Sequence, residues 1–407
     1  MRVHEYLKAG WRPSTIALTV SVALVTVTWW QLSDRMADAS RTRIGNSLER
    51  VLNDAKMRLD AWVYQEQMTA TLWAESPDVL RLTQELLQAE RSQESLQAAP
   101  PQQELRQLLQ PVIDAHGYRG FFVISKENES LASMRDSNAG STNVLAHQAG
   151  TLTAVWEGET VVSLPQPSDV ALIGQDGMYD DSSPTMFVTA PIRDDGGQVI
   201  AALAFRINPF KDFAYIFQQS RIGSSGETYA VNGDGVMISD SRFDRQLKEV
   251  GLIRNNLRSL LNVRVSDPGI NLTATPANDA IRADQPLTVM ASSATAGNSG
   301  RNLLGYPDYR GVSVIGVWLW DDKLQMGLTT EIDVDEAYQE LWANQAAVSG
   351  LVLLSLLLLA GLTMVANYFP NHSVSHRDNR LATSKQPRTL AADFSSEHST
   401  ELEHAVS

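Results

Sequence analysis

Few side chains in this 407-residue chain have the type and spacing that catalysis needs. The chain contains no cysteine, which excludes thiolate metal sites, cysteine nucleophiles and disulfides. Between residues 33 and 345 the histidines are His116 and His147, too few for a histidine-based metal cluster. The nucleophile-elbow, P-loop and dinucleotide-binding glycine patterns are missing too. The sequence therefore predicts no catalytic residue, metal site or cofactor, and favours a protein that is not an enzyme.

The segment 232–235, Asn-Gly-Asp-Gly, is the closest approach to a cation-binding loop. The other ligands of an EF-hand do not follow it. Asn, Asp and Gly are also the residues that tight turns require, and apolar runs flank the segment on both sides. A hairpin turn is the interpretation we favour.

Two uncharged apolar stretches, residues 14–32 and 346–366, enclose most of the chain. About 20 apolar residues suffice for a helix to cross the hydrocarbon core of a bilayer. A cleaved signal peptide is the alternative for the first stretch. That stretch ends at Trp29 and Trp30 with no small-residue cleavage site, which favours a retained anchor. The sequence thus predicts a two-pass membrane protein.

The distribution of charge predicts the orientation of these spans. Lys and Arg mark cytoplasmic flanks, and they precede the first stretch and follow the second. We therefore expect both termini inside and residues 33–345 in the periplasm. This large loop holds 26 Lys and Arg against 41 Asp and Glu, a net charge of −15. Such acidity argues against a nucleic-acid partner.

The loop begins with a predicted helical region. Residues 37–75 contain no Pro and one Gly, and their apolar residues recur at spacings of three and four, which predicts a helix about 60 Å long. Ser76-Pro77-Asp78 predicts the start of a second helix that runs to about residue 97, and residues 103–116 favour a third. The first helix is long enough to serve as a spine for two stacked domains.

Strand patterns follow in two groups. The first group covers residues 120–124, 131–134, 160–164, 186–192 and 199–205. Its last two strands are predicted to form a hairpin, because Asp-Gly-Gly between them tolerates positive φ. After a linking helix at 208–218, the second group covers residues 227–231, 236–239, 312–318 and 325–331. The predicted fold class is α+β, with two tandem modules, 117–207 and 208–345.

Several segments resemble the double Cache sensor domains of bacterial signal-transduction proteins. Residues 223–235, 239–243, 308–312 and 330–333 resemble the membrane-proximal module of that family, and residues 189–197 resemble a hairpin of its distal module. The resemblance implies a PAS-like fold in each module, in a protein of the bacterial inner (plasma) membrane. It also implies that a small extracellular molecule, commonly an amino acid, organic acid or amine, binds in the distal module, here residues 117–207.

The resemblance directs the search for a ligand site to the distal module. Arg135 follows its second strand, where a guanidinium could hold a carboxylate bidentately; a surface arginine is the alternative. Asp195 matches a position that holds the ligand's amine in amino-acid-binding relatives, although Asp194 could serve instead and a simple turn residue is the alternative. Such pockets need apolar walls with a few fixed polar groups. The candidate wall residues are Ser163, Tyr179, Met186 and Phe187, and ordinary core packing is the alternative for each.

The family's amino-acid-binding branch carries an Arg-x-Trp-Tyr-like cluster, whereas Trp156 stands alone here. An amino acid, an organic acid, an amine or another small molecule therefore stays open as the ligand. The long helix is expected to pair in a homodimer, because an unpaired amphipathic spine exposes an apolar stripe.

The 41 residues 367–407 are polar and cannot bury a core. We therefore predict a non-enzymatic transmembrane sensor that either signals through a separate cytoplasmic protein, such as a kinase or cyclase, or has lost its own effector. The alternative is a membrane scaffold that binds no small ligand. The predicted division is 1–13 cytoplasmic, 14–32 and 346–366 transmembrane, 33–116 helical, 117–207 distal, 208–345 proximal and 367–407 a disordered cytoplasmic tail.

Overall fold

The computed structural model describes residues 13–147, 150–170, 172–173, 179–180, 183–274 and 284–368, and it describes their side chains except at 13–15, 172–173, 179–180 and 366–368. Two helices, α1 (Pro13–Ala74) and α10 (Gln339–Tyr368), are long and apolar enough to cross a membrane. Their most apolar windows have mean hydropathies of 1.5 and 2.4. The predicted tail at 367–407 lies outside the described residues from 369 onward.

The chain divides into two units, and Leu32–Ala346 forms the one that contains both sheets. Its shorter helices are α2 (Pro77–Gln88), α3 (Gln93–Ala98), α4 (Pro100–His116), α5 (Thr151–Trp156), α6 (Asp212–Gln219), α7 (Asp244–Glu249), α8 (Val289–Thr295) and α9 (Val334–Ala337). The helix predicted over 76–97 is interrupted after Gln88. The chain restarts at Ser92, whose hydroxyl accepts a hydrogen bond from the Ser95 amide and caps α3.

The first sheet is antiparallel with the strand order β2-β1-β8-β7-β3. Its strands, with β4 paired to β7, are β1 (Phe121–Ser125), β2 (Ser130–Ser133), β3 (Val161–Val162), β4 (Gln166–Pro167), β7 (Pro184–Arg193) and β8 (Val199–Ile207). A separate pair is formed by β5 (Leu172–Ile173) and β6 (Tyr179–Asp180). The hairpin predicted from Asp-Gly-Gly joins β7 to β8, with Gly197 at φ 80°.

The second sheet has the order β10-β11-β12-β9. Its strands are β9 (Glu227–Val231), β10 (Gly300–Pro307), β11 (Ser313–Asp321) and β12 (Met326–Asp333). The strand predicted at 236–239 is wrong. This segment forms isolated bridges to two different partners, Met237 to Val231 and Val236 to Arg264, so it does not pair continuously with one strand. The sequence also gave no indication of β10.

One contiguous apolar core runs along α1. Leu48, Leu52, Leu59 and Val63 recur along one side of the helix, and they share this core with the helix-facing sides of both sheets. Polar contacts join α1 to each module. Thr71 Oγ1 lies 2.8 Å from Thr160 Oγ1, and Lys56 Nζ lies 3.2 Å from an oxygen of Asp321. The predicted α+β fold, two modules along a long N-terminal helix, is confirmed.

Candidate functional site

The first sheet has a second face that does not belong to the core along α1. Phe122 on β1, Phe187 on β7 and the alternate residues of β8 point to this side, because successive residues of a strand face opposite ways. We call it the binding face. Its buried apolar cluster comprises Phe122, Ile124, Leu145, Leu152, Val155, Phe187, Ala202 and Ala204.

Arg206, near the end of β8, lies on the binding face and is only 4% exposed. Its guanidinium carbon lies 4.9 Å from the ring centroid of Phe187 and 5.3 Å from that of Phe122. Nη2 donates to Asp169 Oδ1 at 2.7 Å, and Nη1 donates to Ser168 Oγ at 3.1 Å. A buried cation is therefore held between two aromatic rings and a loop carboxylate.

Positive charge is concentrated around Arg206. Burial lowers its pKa, the Asp169 carboxylate opposes that shift, and the charge of Arg135 adds to it. The pKa of Arg119 is likewise lowered by burial and by the charge of Arg206. Within the described residues, Asp169 is the carboxylate that lies within 4.0 Å of the Arg206 guanidinium. The site is thus suited to an anionic group.

Two threonine hydroxyls are buried on the same side of β7. Thr185 and Thr189 alternate with Phe187, so all three side chains face the same way. Both threonines are fully buried, and neither Oγ1 has a hydrogen-bond partner among the described residues. Buried hydroxyls normally find a partner, so these two are available to a bound molecule.

The structure brings three of the predicted site residues near this face. Phe187 contributes a ring to the Arg206 stack. Ser163 positions Phe187, because its amide donates to the Phe187 carbonyl at 2.8 Å and its hydroxyl accepts from the Phe187 amide at 2.9 Å. Arg135 follows β2, is half-buried and lies close enough for its charge to shift the pKa of Arg206.

The other predicted residues lie elsewhere. Met186 points from β7 into the core along α1, opposite to Phe187. Asp195 is exposed at the turn between β7 and β8, where Asp194 Oδ1 accepts from two backbone amides of the turn. Tyr179 lies in β6, and its side chain is outside the part of the chain that the structure describes.

The sequence interpretation missed Arg206 and Asp169. Arg206 directly follows the apolar run 199–205, and a charge after such a run predicts the end of the strand. The strand in fact continues to Ile207. The pair is formed by residues 37 positions apart, which no local pattern reveals. The available signal was a lone arginine between Phe205 and Ile207, because a charge inside an apolar run needs a buried partner.

The second module fills the equivalent interior with its own side chains. The Glu331 carboxylate is 2% exposed and accepts hydrogen bonds from Tyr306 at 2.5 Å and Tyr229 at 2.9 Å. Burial raises the pKa of Glu331 to about 8, although the tyrosine hydroxyls oppose the shift. Arg310 pairs with Asp308 at 2.6 Å. These contacts make a self-contained polar core.

No family model matches the chain. A curated relative, the transducer protein BasT of Halobacterium salinarum, is 24% identical over 337 residues, which cover 80% of this chain and 33% of the relative. The chain therefore spans about a third of the length of this relative.

Similar solved structures include the ligand-binding domain of the Pseudomonas aeruginosa amino acid chemoreceptor PctB in complex with L-Arg, at 13% identity and a TM-score of 0.42, covering 77% of this chain and 99% of that one. Another is the sensor domain of the V. cholerae histidine kinase DctB, at 11% identity and a TM-score of 0.34, covering 70% and 98%. These two structures are, by name, a ligand-binding domain and a sensor domain, and the curated relative is a transducer protein.

Proposed function

We propose that the chain is a transmembrane sensor whose first module binds a small extracytoplasmic carboxylate on the binding face. The observation that carries this proposal is Arg206, a buried guanidinium stacked on Phe187 and Phe122. The Asp169 carboxylate already accepts a hydrogen bond from Arg206 Nη2, in the way a ligand carboxylate would. A guanidinium is the side chain best matched to a carboxylate, and the pair gains strength where water is excluded.

The remaining contacts define the proposed ligand. Arg135 is proposed as a second group for an anion, and the hydroxyls of Thr185 and Thr189 supply hydrogen bonds to neutral polar atoms. Phe187 and Ser163 are proposed to form and fix the wall. An organic acid would satisfy these groups. The amine of an amino acid held by Arg206 would not reach Asp195, because that residue lies at the opposite end of the β7–β8 hairpin, roughly 23 Å along β8. The proposal assigns no role in the site to Met186, because it faces the opposite side.

We further propose how binding is transmitted. Phe205, the strand neighbour of Arg206, stacks on Tyr118 with centroids 4.9 Å apart. Tyr118 donates a hydrogen bond to Glu66 on α1 at 2.5 Å. A ligand that prefers one position of β8 would thereby bias α1, provided its affinity differs between the two states. A kinase or cyclase on the cytoplasmic side would read the change.

The test is a thermal-shift and calorimetric screen of the full chain in lipid nanodiscs. Acetate, succinate, L-malate and L-alanine would each be compared with the corresponding amide. A carboxylate at a hundred times its Kd should stabilise the fold by roughly 2.7 kcal/mol. Arg206→Gln should abolish the shift, whereas Arg245→Gln, at a side chain 93% exposed, should leave it unchanged.

Two outcomes would count against this proposal. Binding that survives Arg206→Gln would place the ligand elsewhere. Silence across a well-folded sample would favour the alternative, a membrane scaffold that uses the same fold without a small ligand.

A further inference from the structure

Glu66, on α1, is a buried carboxylate that the proposed carboxylate site does not use as a ligand contact. It is 5% exposed and lies in the lining of a cleft of about 420 Å³. The cleft is formed by α1, the end of α4 and the start of α6, and is separate from the binding face. The lining residues that bear on its chemistry are Trp62, Glu66, His116, Lys211, Asp212 and Tyr215.

Glu66 has a hydrogen-bond donor but no cation beside it. Its Oε2 accepts from the Tyr118 hydroxyl at 2.5 Å. No Lys or Arg nitrogen of the described residues lies within 4.0 Å of the carboxylate. Lys211 faces the same cleft, but its Nζ donates to the His116 carbonyl at 3.2 Å and lies 3.9 Å from Asp212.

The charged groups around the cleft do not fully neutralise the Glu66 carboxylate. Burial raises the pKa of Glu66, and the Tyr118 hydrogen bond lowers it. Among the other groups that face it, His116 and Lys211 lower the pKa and Asp212 raises it. A buried carboxylate without a counter-ion is costly, so the site gains if a cation enters or if the carboxyl takes a proton.

The walls suit an organic cation in particular. Trp62 and Tyr215 line the cleft from α1 and α6, and Tyr215 is 57% exposed at its edge. The faces of aromatic rings attract ammonium groups, and their apolar surface covers methyl and methylene groups. A metal ion would need several oxygen ligands, whereas the described residues contain no group of three or more acidic or histidine side chains placed to hold one.

We propose that this cleft binds a small organic ammonium ion, which pairs with the Glu66 carboxylate between Trp62 and Tyr215. Because Glu66 lies on α1 and contacts the first module through Tyr118, the cation acts on the same helix as the carboxylate ligand. The site therefore gives the chain a second input at a place separate from Arg206, on the Tyr118–Glu66 contact through which the carboxylate signal is proposed to reach α1.

The test is isothermal titration of the full chain in nanodiscs with putrescine, choline and tetramethylammonium chlorides, against sodium chloride at equal ionic strength. At least one of these cations is expected to bind with a Kd of about 10 mM or lower. Glu66→Gln should raise this Kd roughly tenfold. Glu75→Gln, at an exposed acid just beyond α1, is the matched control. Affinity should rise with pH, because the carboxylate must lose its proton to pair with the ammonium.

Tyr215→Ala provides a variant that leaves the buried residues in place, and it should weaken binding about three- to tenfold. Two results would overturn the site: none of the three cations binds, or binding is unchanged in Glu66→Gln. Carboxylate binding at Arg206 should persist in Glu66→Gln, so failure of one proposal is distinguishable from failure of the other.

Discussion

The Arg206 guanidinium and the Asp169 carboxylate form an ion pair 2.7 Å long on the binding face of the first sheet. The two side chains are unequally buried, at 4% and 25% exposure. Arg206 is thus fixed inside the module, while Asp169 reaches it from a loop at the surface. A ligand carboxylate could compete for Nη2 without disturbing the sheet.

The first prediction concerns the energy of this pair. Asp169→Asn leaves a buried guanidinium without its acid partner, and we expect the unfolding free energy to fall by about 2 kcal/mol, less than for a fully buried pair because Asp169 is partly exposed. Adding Arg206→Met should cost less than the sum of the two single changes. Equilibrium unfolding of the four proteins in a double-mutant cycle measures this coupling. Additivity within about 0.4 kcal/mol would show that the two groups do not interact.

The second prediction is a loss of stability as the pH rises through the neutral range. The pKa of Glu331 is about 8 in the folded protein against an ordinary value of 4.5, because burial favours the neutral acid. The folded state therefore holds a proton that the unfolded state has released, and the unfolding free energy should fall as pH rises from 4.5 towards 8. Asp240, whose burial raises its pKa to about 7, acts in the same direction.

Glu331→Gln should flatten this dependence, because the amide keeps hydrogen bonds to Tyr306 and Tyr229 but cannot ionise. The melting temperature measured from pH 5 to pH 8.5 provides the readout. Glu340→Gln, at an exposed position, is the control. An unchanged slope in Glu331→Gln would show that Glu331 is not the group whose proton is lost.

Local patterns account for most of the fold. The apolar spacing predicts a long amphipathic helix, and Leu48, Leu52, Leu59 and Val63 are buried as expected. Met57 and Met68 are predicted on the same face, and this is wrong, because they are 61% and 50% exposed on the opposite side of the helix. By contrast, β10 escaped prediction because it is an edge strand. Most of its residues stay partly exposed, and its pairing with β11 is irregular between Asn302 and Tyr306, so it lacks a regular apolar alternation.

The candidate site was less accessible from sequence. Phe187 and Ser163 could be proposed because they lie in predicted strands, although β3 ends at Val162, one residue before Ser163. Their neighbour Met186 shows the limit of this approach, since a strand buried on both faces gives no alternation to tell one face from the other. Arg206 and Asp169 depend on a long-range contact. A single sequence contains no signal that joins them.

The third prediction concerns Gly311, in the turn at residues 308–312 of the second module. Gly311 follows Arg310 in a turn in which Asp308 Oδ1 accepts from the amides of Arg310 and Val312. Its φ is 74°, and a Cβ would lie 1.9 Å from the Ile270 carbonyl oxygen. Gly311→Ala should therefore lower the unfolding free energy by about 3 kcal/mol or more, because both the backbone and the space oppose it.

The control for this change is Gly297→Ala, since Gly297 has a φ of 80° with no atom within 4 Å of the added carbon. It isolates the backbone cost, which we expect to be about 1 kcal/mol. Urea unfolding of both variants separates the two contributions. Equal losses would mean that the contact with Ile270 relaxes at no cost.

The last prediction concerns association through α1. Met57, Tyr64, Met68 and Leu72 are 50–70% exposed and recur at spacings of seven and four, which places them on one side of the helix. Glu66 lies on the opposite side of α1, so this stripe is distinct from the cation cleft. An exposed apolar stripe on a long helix favours pairing with a second copy.

Replacing Tyr64 and Leu72 together by Glu should convert the full chain in detergent from dimer to monomer, because four charges would face each other across a parallel helix pair. Sedimentation velocity at about 10 μM, a concentration at which micromolar dimers persist, measures the change. Gln103→Glu, at an exposed position of α4, adds a charge away from α1 and should leave the dimer intact. A wild-type monomer, or a dimer that survives both charges, would exclude pairing through this face of α1.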